Sequence, residues 1–238
     1  MLLRYCCRIL LCYCGLVQAN AGFDVSPIRL QLSSTTPSAA LTLTNRTVKP
    51  RLIEVSTVLW QRAEYQDSYS PTRDILANPP VFEVAPYASQ IVRVGLNTAR
   101  PSATESSYRV FLTEVATEQP QQQLQVVLSI GIPVFISPAA GEVYRLDWQA
   151  TAISSGMVEL TVQNTGNSHI QLEQLQFYSS QSATYQSVDS IDYRSHQRIF
   201  PQESQRWHIA LNSGNTELTI RYSSAQLNGE HTLPIQGR

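Results

Sequence analysis

Beyond residue 21 the chain has no cysteine: Cys6, Cys7, Cys12 and Cys14 are its four. A body without thiols cannot rest on a disulfide framework, hold a zinc-thiolate centre or use a cysteine nucleophile. Lysine is nearly missing too. Lys49 stands alone, so arginine supplies almost all positive charge, and arginine suits planar, two-pronged capture of carboxylates. No stretch is long and apolar enough for a permanent membrane span. Catalytic signatures are also lacking. His169, His196, His208 and His231 form no HxH or HExxH spacing and read as surface or strand residues rather than metal ligands. There is no GxSxG elbow and no glycine-rich phosphate loop. Asp189 and Asp192 make a loop pair without a cation-binding pattern. Two carboxylates meeting from distant positions would leave no trace in a sequence, but no feature points to a glycosidase. The expectation is a non-enzyme without metal or cofactor.

The first 21 residues read as a signal peptide. Arg4 and Arg8 precede an apolar run over 9–17, and Ala19-Asn20-Ala21 has the small-x-small form of a cleavage site. Leu11 and Tyr13, just ahead of Cys12 and Cys14, argue against a lipoprotein site. Cleavage after Ala21 would take the formal charge from −1 to −3. Nothing in that balance implies a nucleic acid or a membrane surface as partner. The remaining chain, about 217 residues, is enough for two domains of about 100 residues each, held by their cores.

What is present is alternation. Residues 123–138 read QLQVVLSIGIPVFISP, with Leu124, Val126, Leu128, Ile130, Ile132, Val134 and Ile136 on every second position. That period and its β-branched residues belong to a strand. Pro133 has no N–H to give, so the strand cannot be hydrogen-bonded along both sides throughout. It reads as a long edge or sheet-switching strand. An exposed edge with a row of large apolar side chains is an aggregation hazard unless a partner uses it. An ordinary buried sandwich strand is the alternative reading.

Similar segments fill the chain. Strands are expected over 22–32 (interrupted by Pro27), 39–45, 51–61, 81–84, 90–94 and 107–115, with 65–76 a polar, tyrosine-rich loop and 116–123 a polar hairpin loop. On the 107–115 strand, Tyr108, Val110, Leu112 and Glu114 share one face and Arg109 lies on the other. Pro138-Ala139-Ala140-Gly141 is a small-residue hinge, placing the domain boundary between 22–138 and 139–238. Beyond it, strands are expected over 143–150, 156–164, 169–178, 206–211 and 217–223, with a short one near 233–235. Asn45-Arg46-Thr47 is formally a glycosylation sequon and reads as a plain turn. Many short strands punctuated by turn residues, without an amphipathic helix, give an all-β chain of two tandem immunoglobulin-like sandwiches.

Four stretches together carry a family resemblance: Ser26-Pro27-Ile28-Arg29; NPPVFEVAP over 78–86 followed by QIVRV over 90–94; YRVFLTEV over 108–115; and the alternating run over 124–138 ending in Pro138-Ala139. In order and spacing the chain resembles the periplasmic chaperones of the chaperone–usher pilus pathway, the PapD-like family. The resemblance implies two Ig-like domains in a boomerang and a periplasmic location. It also implies pilus subunits as partners and delivery to an outer-membrane usher. In that family the chaperone completes an unfinished subunit sandwich by donor-strand complementation, which assigns the donor positions here to Leu124, Val126, Leu128 and Ile130. The family anchors the subunit's C-terminal carboxylate with a first-strand arginine, matched by Arg29, and a donor-strand lysine, where this chain has Pro133. Arg109 is the expected second cation, because its strand should pair with the donor strand; Arg93 should lie in the opposite sheet. The missing lysine and disulfide fit the archaic branch of these systems. A self-capping dimer of the free protein stays open. So does a different class of function, an exported adhesive or structural Ig-like module with the long strand simply buried.

Overall fold

The computed structural model describes residues 22–63, 66–98, 102–116, 126–154, 156–179, 198–211 and 214–237, with the backbone of 186–187. The expected signal peptide, Leu124, His196, Asp189, Asp192 and most of the 116–123 loop lie outside the described residues.

Ten strands build the first domain: β1 (Phe23–Ser26), β2 (Leu30–Leu32), β3 (Ser38–Asn45), β4 (Arg51–Ala63), β5 (Gln66–Pro71), β6 (Ile75–Asn78), β7 (Val81–Val84), β8 (Ser89–Leu96), β9 (Ser106–Glu114) and β10 (Ser129–Ile136). They form two sheets, ordered β1-β3-β8-β6 and β2-β10-β9-β4-β5, with β7 beside the start of β4. Alternation sends Leu41, Leu43, Val92 and Val94 inward from the first sheet. Ile53, Val55, Val110, Leu112, Ile132 and Val134 face them from the second. These side chains interdigitate as the core of a sandwich. The chain over 22–32 is two strands rather than one interrupted strand: it changes sheets at Pro27, so that β1 pairs β3 while β2 pairs β10.

In its described part the expected loop over 65–76 is mostly strand. Gln66–Pro71 pairs along the far end of β4, from Val58↔Pro71 to Ala63↔Gln66. All six residues are exposed, so neither face shows the apolar alternation by which a strand is read. Ile75, fully buried, already belongs to the core.

The second domain contains β11 (Leu146–Ser154), β12 (Met157–Asn164), β13 (Ile170–Ser179), β14 (Gln186–Ser187), β15 (Arg198–Ile199), β16 (Ser204–Ala210), β17 (Glu217–Ser224) and β18 (Asn228–Gln236). The layers β16-β12-β11 and β18-β17-β13 are joined by a short parallel pairing, Ala150↔Ile235 and Thr151↔Gln236. Trp148, Leu160 and Trp207 of one layer pack with Leu172, Phe177 and Ile220 of the other. The last strand is nine residues long rather than a short one near 233–235, because its polar first half pairs with β17. Short β15 lies beside the start of β13, with Gln171 opposite Arg198.

Both domains use one turn device. Asn45, at the end of β3, is fully buried and its amide donates to the carbonyls of Lys49 (2.8 Å) and Val84 (3.1 Å). Asn164, at the end of β12, donates to Ser168 (2.8 Å) and Ile199 (2.9 Å). The sequon is therefore a structural turn whose amide nitrogen is spent on the backbone.

Candidate functional site: an open strand edge beside a cationic cleft

Strand β10 is paired on one side along its whole length, antiparallel to β9, from Ser129↔Thr113 to Ile136↔Ser106. On its other side it is paired only over Val134–Ile136, parallel to Leu30–Leu32. The hydrogen-bond parity explains where this second ladder stops. The Glu114 N–H donates to the Leu128 carbonyl (2.8 Å), so even-numbered positions of β10 exchange bonds with β9 and odd-numbered ones face away. The Ser137 N–H indeed donates to the Leu32 carbonyl (2.9 Å) on the β2 side. Pro133 is the odd position at which the parallel ladder would continue, and it has no N–H. The proline costs β9 nothing and ends the pairing with β2. From there back to Val126 the edge has no partner strand among the described residues.

The side chains follow. Ile132, Val134 and Ile136 are buried in the domain's own core. Ile130 is half-buried and packs against that core. Val126 is 78% exposed and Leu128 40%. The apolar row thus leaves its own core and continues into solvent.

The opposite face of this sheet forms one wall of a cleft between the domains. Arg109 lies across from Pro133, and its guanidinium carbon sits 4.2 Å from the centroid of the Trp60 indole and 5.3 Å from the Tyr69 ring. Gly131 permits this packing: a Cβ there would approach Phe111 to 2.8 Å and the Arg109 Nη1 to 3.4 Å. From the second domain, Arg198 brings its guanidinium carbon 5.3 Å from the same indole and 5.2 Å from Phe135. Its Nη2 donates to Gln171 Oε1 (2.9 Å). Arg62 stacks at 4.9 Å from Phe200 and 5.8 Å from Trp60. Planar guanidinium groups stack well on aromatic faces.

Charge in the cleft is unevenly matched. Arg62 takes Asp67 (2.7 Å) and lies 3.8 Å from Glu203. Arg109 and Arg198 have no carboxylate within salt-bridge distance among the described residues, and each has a buried Nε without an acceptor. Burial pushes the Arg198 pKa down to about 10, helped by the charges of Arg109, Arg62 and Arg29 and opposed by Glu105. Asp67 is held below its ordinary value: burial pushes its carboxyl up, but the Arg62 hydrogen bond and neighbouring charges outweigh it. Arg29 itself is exposed, in the short link between β1 and β2.

The cleft floor is a built interface. His169 stacks on Phe135 with centroids 3.9 Å apart, and its Nδ1 lies 2.7 Å from Glu105 Oε1. The Glu105 N–H donates to the Asn167 carbonyl (2.8 Å), and Arg62 Nη1 donates to the Arg198 carbonyl (2.8 Å). His169 is therefore a buried interdomain residue, whereas His208 and His231 are cross-strand neighbours of Glu159 and Tyr222.

Of the residues singled out from sequence, Arg29 and Arg109 act on the same electrostatic neighbourhood, and Val126 and Leu128 occupy the open edge. Arg93 lies in the other sheet, opposite Ala40 and Asn78. Sequence reading passed over Trp60 as the platform of the cleft, and over Arg198, which stands in a polar segment with no periodic signal. Among the described residues Arg109 and Arg198 stand outside any ion pair, so the neighbourhood can hold an anion, and no cluster of His, Cys, Asp and Glu suits a metal ion.

The fold and cleft define a two-domain, immunoglobulin-like protein of the pilus-chaperone architecture. Residues 22–142 match the family model of the pili and flagellar-assembly chaperone, PapD N-terminal domain. The chain belongs to that family. Among solved structures it is similar to the CsuC–CsuE chaperone–tip adhesion subunit pre-assembly complex from archaic Csu pili of Acinetobacter baumannii. That match has 16% identity and a TM-score of 0.61, covering 92% of this chain and 100% of the matched chain. It is also similar to the YadV chaperone (18% identity, TM-score 0.62, 89% and 100% covered). A third match is the Salmonella enterica SafA pilin in complex with the SafB chaperone (15% identity, TM-score 0.57, 89% and 94% covered). At these identities the likeness establishes the fold. No curated protein sequence matches the chain.

Proposed function

We propose that the protein is a periplasmic chaperone of the archaic kind that captures pilus subunits by donor-strand complementation and hands them to an outer-membrane usher. It acts by binding, without catalysis, cofactor, nucleic acid or insertion into the membrane. The donor strand is the run from Leu124 through Val126 and Leu128 to Ile130. The observation that carries this reading is the unpaired edge of β10, where an apolar row passes from the protein's own core into solvent. A subunit lacking a strand gains backbone pairing along that edge and covers the projecting side chains. Burying one such side chain contributes about 1.5–3 kcal/mol before ordering costs. Arg109, with Arg29 nearby, receives the carboxylate at the end of the subunit chain, in place of the family's lysine at the Pro133 position.

Co-expression of the chaperone with pilus subunits in a periplasm, followed by co-purification, tests the proposal. A one-to-one complex is expected, lost in Val126→Asp and Leu128→Asp variants that remain folded. Normal subunit recovery by a folded Leu128→Asp protein would count against it.

A further inference from the structure

We propose that Arg198, from the second domain, is a direct ligand of the captured chain's terminal carboxylate, closing on it from across the cleft opposite Arg109. This rests on the subunit-capture reading and adds to it a residue from a different domain.

The argument begins with unmet hydrogen bonds. A buried guanidinium N–H without an acceptor is costly, and most buried polar groups in folded proteins are paired. Here two guanidinium Nε groups are not, and they belong to the two arginines stacked on one indole. Stacking holds both guanidinium planes against Trp60 before any ligand arrives. Arg198 is fixed further by Gln171 and by the Arg62 bond to its own carbonyl. Three carboxylates lie nearby, Asp67 and Glu203 against Arg62 and Glu105 against His169, and none forms a salt bridge with the pair. Arg198 consequently stands among like charges that already disfavour its protonated form. One carboxylate between Arg109 and Arg198 would satisfy donors on both arginines and reverse that repulsion, and forked guanidinium donors match the two oxygens of a carboxylate. A backbone amide or a neutral side chain would not offset the charge. The occupant is therefore a carboxylate, and on the subunit-capture reading it is the free C-terminus of an extended chain lying on the β10 edge.

The consequence is selectivity: a chain is retained when its carboxylate ends at the cleft, and a chain that is amidated or continues past it is not. The test uses a synthetic alternating Val/Thr peptide about ten residues long, enough to follow the open edge at about 3.3 Å per residue, in free-carboxylate and C-terminal amide forms. Affinities are measured by titration calorimetry with the full chain. Wild type should prefer the carboxylate form by about tenfold or more. Arg198→Gln should bring that preference near unity, a readout that a merely structural arginine would not move. Arg198→Lys, which keeps the charge, should retain part of the preference and covers the case in which Arg198→Gln does not fold. If Arg109→Gln loses the preference while folded Arg198→Gln or Arg198→Met keeps it in full, the first domain alone holds the carboxylate and this proposal is overturned, with subunit capture intact. If wild type binds neither form, or both equally, the carboxylate reading fails and takes this proposal with it.

Discussion

Strand β10 has two halves with similar apolar side chains and opposite surroundings. From Val134 to Ile136 it lies between β9 and β2, and its inward residues are buried. From Ser129 to Pro133 only one side is paired, and just ahead of the strand Val126 and Leu128 face solvent. Hydrophobicity does not separate the halves; the backbone does. Pro133 lacks the N–H for the next rung of the β2 ladder, and the chain ahead of β2 crosses to the other sheet at Pro27, so the edge stays open without polar side chains. Proteins normally blunt such edges, and here the apolar row is left in place where a partner can use it.

The sharpest way to break the comparison is to place the same charge in each half. Val134→Asp buries a carboxylate between two sheets and should cost more than about 4 kcal/mol, so that little folded protein is recovered. Leu128→Asp should move Tm by no more than about 2 °C. Circular dichroism melts of both variants read the difference, and equal losses would mean that the open half is core after all.

Removing the cover from the closed half is the next largest effect. Leu32 is fully buried on β2, and Leu32→Ala should cost about 2–5 kcal/mol in urea denaturation. It should not touch the open edge directly. A loss below about 1 kcal/mol would show that β2 contributes little to closing the strand.

In the cleft the sign matters more than the size. Arg109 packs on Trp60 without a carboxylate partner among the described residues. Arg109→Met keeps an apolar stem over the ring and removes one like charge from Arg198, so the free protein should melt at or above the wild-type temperature while subunit capture weakens. A clearly lower Tm would make Arg109 a structural residue instead.

Pro133→Ala should be the smallest change. It returns an N–H that points toward the carbonyl of Ile28, next in the parallel register, and should raise stability by less than about 1 kcal/mol while lengthening the covered half by one rung.

Much of this was legible in the sequence. Strict alternation marked β3, β9, β10, β12 and β13, and a proline inside an apolar run marked a one-sided edge. The strand β5 was not legible because both of its faces are polar and its pairing is purely backbone. The cleft was legible only in part. Arg109 could be placed because β9 and β10 are neighbours in sequence and pair as a hairpin. Arg198 reaches Trp60 from a two-residue strand in the other domain, and no local pattern records a meeting across 138 positions. His169 looked like one more residue of an alternating strand, yet Glu105 and Phe135 from the first domain bury it.

Hydrogen exchange along β10 tests the central claim most directly. The amides of Ser129 and Gly131 point away from β9, toward the open side, and that of Val127 precedes the paired stretch. In the free monomer they should exchange rapidly, while those of Val134 and Ile136, held against β9, are protected. On forming a complex with a pilus subunit, the three should become protected and the other two should not change. Slow exchange at all five positions in the free monomer, or no change at the three on complex formation, would contradict the account.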